Sequence, residues 1–174
     1  MPRFIQTLAR LSALTGGLVL AALIVMTSLS IVGRAFAFAG LGPVPGDFEL
    51  VEAGIAFAVF AFLPWCTLNA GHATVDIFTN GLSEQVNRVL LAFWEIVMAA
   101  TVAFIAWRLY EGMLGKVKNG ETTFLLQFPV WWAYAACLVP ACVTVVVALW
   151  SAYDRLRAVV TRRDTRAVKA EAQH

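Results

Sequence analysis

Apolar and polar positions separate here on the scale of whole segments. Leu11–Gly33, Ala53–Gly71, Val89–Trp107 and the run from Thr122 to Tyr153 hold one charged residue between them, Glu95. At about 1.5 Å per residue the first stretch rises roughly 34 Å, enough to cross a hydrocarbon core of about 30 Å. The last run is longer than a span needs. Pro129 suits a first helical turn, which places the fourth helix at Pro129–Trp150. Trp131, Trp132 and Tyr134 stand at one end of it and Trp150 and Tyr153 at the other. Trp132 and Trp150 are roughly 27 Å apart along a helix, the spacing of two interfacial aromatic belts. The pattern predicts an all-α integral membrane protein with four transmembrane helices.

The joints carry further signals. Gly40-Leu41-Gly42-Pro43-Val44-Pro45-Gly46 is a cluster of helix breakers, and Asp47 after it is placed to cap the second helix. Glu49 and Glu52 then fall in or near the first turns, where acids suit the helix dipole. From His72 to Arg88, Val75, Phe78, Leu82 and Val86 recur at spacings of three and four with polar residues between them. This predicts a short interfacial amphipathic helix between spans two and three, broken at Gly81 and resting on the bilayer or on a partner protein. The joint from Gly112 to Phe128 holds Gly112, Gly115, Asn119 and Gly120, then an apolar Phe124-Leu125-Leu126 that either dips into the interface or meets a partner. Residues 1–161 read as a single four-span membrane domain, and 162–174 as a basic, flexible cytoplasmic tail.

Composition agrees. Of 174 residues, 60% are hydrophobic and only 14% charged, against nearly half and about a quarter in soluble proteins. A chain this short cannot bury four such helices in water. Of the 13 Lys and Arg residues, Arg3, Arg10, Arg88, Arg155, Arg157, Arg162, Arg163, Arg166 and Lys169 fall on one side of the predicted topology. Arg34, Arg108, Lys116 and Lys118 fall on the other, so both ends face the cytoplasm. Arg3 and Arg10 before an apolar run that ends near Ala35-Phe36-Ala37 also fit a cleavable secretory signal, although the run is longer than such signals use. The formal net charge of +2 comes largely from the basic tail, which suits anionic lipid and gives a nucleic-acid role little support.

Little reaction chemistry is visible. The histidines are His72 and His174, so no axial pair for a haem lies within the spans. Cys66, Cys137 and Cys142 form no C-x-x-C and read as small packing residues. His72 and Asp76, four apart, amount to half a metal site at most, and a polar pair at the water interface explains them as well. No phosphate loop or nucleophile motif is present, and no cofactor or enzymatic activity is expected. Glu95 is the residue that needs an explanation, because an acid inside a span costs up to about 2.5–3.5 kcal/mol near the bilayer centre. It is either an anchor that pairs with Arg88 or a partner subunit, or the carrier of an ion path in a self-contained homo-oligomeric exporter or channel.

Three places in order resemble the small membrane subunit, of the DctQ type, of tripartite ATP-independent periplasmic (TRAP) transporters. They are Phe48-Glu49-Leu50-Val51-Glu52-Ala53 at the start of span two, Asn69-Ala70-Gly71-His72-Ala73-Thr74-Val75-Asp76 at its end, and Gly120-Glu121-Thr122-Thr123 leading through Phe128-Pro129-Val130-Trp131-Trp132-Ala133-Tyr134 to Pro140. The resemblance covers about residues 5–158. Ala73, where the family often has a larger aliphatic residue, and Ala141, where it often has a glycine-containing pattern, depart from it. The resemblance implies a scaffold subunit in the bacterial inner membrane, part of a Na⁺-coupled importer of organic acids. Its partners would be a large multi-span membrane subunit and a periplasmic substrate-binding protein. It further implies that Glu95 and Arg88 secure span three, that His72 and Asp76 fix the surface helix, that Glu49 and Glu52 lie where the binding protein docks, and that no substrate ligand belongs to this chain.

Overall fold

A computed structural model describes residues 3–69 and 84–160. It contains four long helices: α1 (Arg3–Ala35), α2 (Asp47–Leu68), α3 (Glu84–Asn119) and α4 (Trp131–Val160), with one turn of 3₁₀ helix at Ala37–Ala39. All four are long and apolar enough to cross a membrane, and no strand occurs among the described residues. The interfacial helix expected after span two falls mostly on residues 70–83, outside the described residues; from Glu84 onward the chain already belongs to α3.

Several boundaries differ from the sequence pattern. Gly46, at φ 72°, is the N-cap of α2, and Asp47 is its first helical residue. One oxygen of the Asp47 carboxylate accepts hydrogen bonds from the Ser30 hydroxyl and the Arg34 guanidinium of α1. Its other oxygen accepts the Phe48 N–H of its own first turn at 2.8 Å, so one carboxylate serves both helices. Helix α3 continues twelve residues past Trp107, through Gly112 and Gly115, to Asn119. A glycine inside a helix costs roughly 1 kcal/mol, but at Gly112 it makes room for a neighbour: a Cβ there would lie 2.8 Å from the Tyr134 ring of α4. Helix α4 starts at Trp131 rather than Pro129, because Pro129 pairs with Thr122 in an antiparallel bridge. Its carbonyl then accepts the Trp132 N–H at 3.0 Å as the helix begins. Pro64 and Pro140 lie inside continuous helices.

The helices lie in the order α1, α2, α4, α3. Among the described helices α3 touches only α4, and α1 packs along α2. At one end α1, α2 and α4 converge around Ile5, Ala9, Leu68 and Val147. The arrangement is an open row and not a closed four-helix ring. Small residues set the close contacts, as expected where lipid offers helices no hydrophobic drive to associate. A Cβ on Gly16 would stand 2.9 Å from that of Ala61. One turn earlier the Ser12 hydroxyl donates to the Ala61 carbonyl at 2.8 Å. Ala99, Ala148 and Ala152 form the equivalent seam between α3 and α4.

Candidate functional site

The chemistry-bearing residues gather at the end of the row where α2 and α4 begin. There the chain between α3 and α4 folds into a tight hairpin. Thr123 N–H donates to the Phe128 carbonyl at 3.0 Å, and Val130 N–H to that of Glu121 at 3.0 Å. Gln127 takes the left-handed conformation, φ 56°, at the reversal, and its side-chain amide donates to the Phe124 carbonyl at 2.8 Å. The base is tied by Glu121, whose carboxylate accepts from the Lys116 ammonium and, at 3.0 Å, from the Asn119 amide. These partners hold the Glu121 carboxyl below its usual range, with the Lys116 hydrogen bond the largest cause.

The hairpin tip is held by α2. Glu49, in the first turn, accepts the backbone N–H of Leu125 at 2.6 Å and that of Leu126 at 3.0 Å. Beneath the contact Leu126 packs on Gly46, where a Cβ would fall 2.3 Å from Leu126 Cγ. Glycine is required there twice over, by its left-handed φ and by this approach. A cleft of about 570 Å³ runs under the hairpin between α2 and α4; Glu49 and Glu52 stand on it with Phe60, Leu109, Phe128 and Tyr134 among its walls. Glu52 is exposed to this cleft. On the far side of α2, the Ser30 hydroxyl, 1% exposed, donates to Asp47 and accepts the Val44 N–H at 3.3 Å. The chain after α1 thereby folds back so closely that a Cβ on Gly33 would meet the Gly42 carbonyl oxygen.

Of the residues singled out from sequence, Glu49 and Glu52 come together on this cleft. Glu95 lies elsewhere, on the α3–α4 seam, with its carboxylate 3.7 Å from Arg155 Nε of α4. The Arg88 side chain, His72 and Asp76 are outside the described side chains and residues. Asp47 was singled out only as a cap and Gly46 only as a helix breaker, and the pairings of Asp47 with Ser30 and Arg34 and of Lys116 with Glu121 were not foreseen. The breaker cluster and the nearby acids were visible signals, but their partners lie on other segments. No group of three or more His, Cys, Asp or Glu residues able to hold a metal occurs among the described residues.

Nothing in this arrangement resembles a reaction centre: the carboxylates are occupied by structural donors or stand at the edge of a half-open apolar cleft. No curated protein matches the chain. The model of the family described as tripartite ATP-independent periplasmic transporters, DctQ component, matches residues 23–158, which takes in the last part of α1, the joints that follow α1 and α3, and nearly all of α4. The chain is a multi-pass membrane protein and belongs to the DctQ component family of the tripartite ATP-independent periplasmic transporters, a family of transporter components and not of enzymes.

Proposed function

We propose that this chain is the small scaffold subunit of a Na⁺-coupled importer of organic acids, lying in the bacterial inner membrane with both ends in the cytoplasm. In this role it supports a large transport subunit and helps to dock the periplasmic substrate-binding protein. The observation that carries the reading, beside the family, is the open row of helices. In the most apolar part of each span, only 11% of residues in α1 and 39% in α4 are buried within the chain. Such a row has two long apolar faces for lipid or a larger membrane partner, and among the described residues it encloses no polar path.

The same reading assigns the residue roles. Glu95, facing Arg155, secures span three, with Arg88 as a second cation nearby in sequence. His72 and Asp76 fix the segment between spans two and three at the cytoplasmic surface. Glu49 and Glu52 lie at the start of span two, where the binding protein docks. The test is recovery of tagged chain from native membranes in mild detergent. Stoichiometric recovery of a large polytopic protein supports the subunit reading. Recovery of this chain alone as a stable homo-oligomer overturns it in favour of a self-contained channel.

A further inference from the structure

The hairpin between α3 and α4 presents a combination that a water-facing loop does not need. Its tip turns large apolar side chains outward: Phe124 is 87% exposed and Leu125 60%. Phe48, beside the Glu49 that holds the tip, is 78% exposed. At the same time several of its backbone polar groups, those at the tip above all, are masked from within. The amides of Leu125 and Leu126 are taken by Glu49, those of Thr123 and Val130 by carbonyls across the hairpin, and the Phe124 carbonyl by Gln127. Water would satisfy such groups at no structural cost. Hydrocarbon would not, and irregular backbone survives at membrane depth only when its polar groups are satisfied internally.

The level of the tip agrees. Helix α2 has 22 residues, about 33 Å at 1.5 Å per residue, so its first turn lies at the boundary of a hydrocarbon core about 30 Å thick. Glu49 and Gly46 hold the tip at this level. Trp131 and Trp132, both exposed at the start of α4, supply an interfacial aromatic pair beside it.

We propose that the 122–129 hairpin is a membrane-dipping loop whose Phe124 and Leu125 side chains insert among the acyl chains of the leaflet in which α2 and α4 begin, with Glu49 as the cap that shields its tip amides from lipid. The occupant of this apolar surface is therefore phospholipid and not a protein partner. The inference depends on the chain spanning a bilayer and not on the transport reading.

The test places the photo-crosslinker p-benzoylphenylalanine in place of Phe124 in the full chain, with a second sample carrying it in place of the exposed Val146 of α4. Both are irradiated in phospholipid nanodiscs and in native membranes. Phospholipid adducts at position 124 as the main product in both preparations are expected. No adduct at 124 in nanodiscs where position 146 gives one would place the tip in water and overturn the proposal. A main adduct with another protein in native membranes would overturn it as well. Combining the label at 124 with Glu49→Ala is expected to lose most of the lipid adduct there and none at 146. An unchanged yield would remove Glu49 from the role of cap.

Discussion

The Glu49 carboxylate accepts the Leu125 backbone N–H at 2.6 Å although 76 positions separate them in the chain. This contact joins the start of α2 to the α3–α4 hairpin and fixes where the hairpin stands over the cleft. Glu49→Ala should leave the four helices intact and release the tip. Hydrogen exchange should then speed up at Leu125 and Leu126 and stay unchanged at Ala99 in the α3–α4 seam. Equal protection at the two tip amides in the variant would mean that the hairpin holds itself.

Gly46 carries two separable demands. Gly46→Ala forces a non-glycine residue to φ 72°, which costs roughly 1–2 kcal/mol, and drives a Cβ into Leu126. Thermal unfolding in detergent should show the loss. Adding Leu126→Ala should restore the steric part and leave the backbone part. Two strictly additive losses would deny the contact.

Adjacent glycines in α1 should behave oppositely. Gly16→Ala places a methyl 2.9 Å from Ala61 Cβ, whereas a Cβ on Gly17 meets nothing within 4 Å. Gly16→Ala should destabilise by about 1–3 kcal/mol through overpacking. Gly17→Ala should be neutral or stabilise by up to about 1 kcal/mol through helix propensity. Thermal melts of the two variants side by side decide it.

Glu95 and Arg155 should act as one unit. Glu95→Gln and Arg155→Gln should each lower the yield of assembled complex, and the double variant should lose less than the sum. Complexes that do assemble with Glu95→Gln should transport normally. Loss of transport at full assembly would instead support an ion path through Glu95.

The hairpin base should weaken in acid. Because Lys116 and Asn119 hold the Glu121 carboxyl below its ordinary 4.5, its contribution is fully present above that pH. It is lost as pH falls through the folded-state value. Proteolytic nicking of the 120–130 segment should rise over that acidic window in the native chain. In Glu121→Gln it should already be raised at neutral pH and change little on acidification.

Much of the protein was legible without coordinates. Four apolar runs of span length leave the backbone no alternative to helix, since lipid satisfies no peptide group. The breaker cluster before α2 was equally plain. Helix ends were less so, because they depend on what the terminal groups find. Asp47 looked like a cap and instead serves Ser30 and Arg34. Gly112 looked like a joint and is a notch for Tyr134 inside α3.

The sequence by itself determined the solvent, the number of spans and the family, because all three follow from local composition and ordered motifs. Only the tertiary structure decided that the helices form the row α1, α2, α4, α3, that Glu95 faces Arg155, and that Glu49 caps the tip of a hairpin. Those relations join groups far apart in the chain. Local pattern cannot specify them, since a carboxylate's partner is set by which donors packing brings within hydrogen-bond reach.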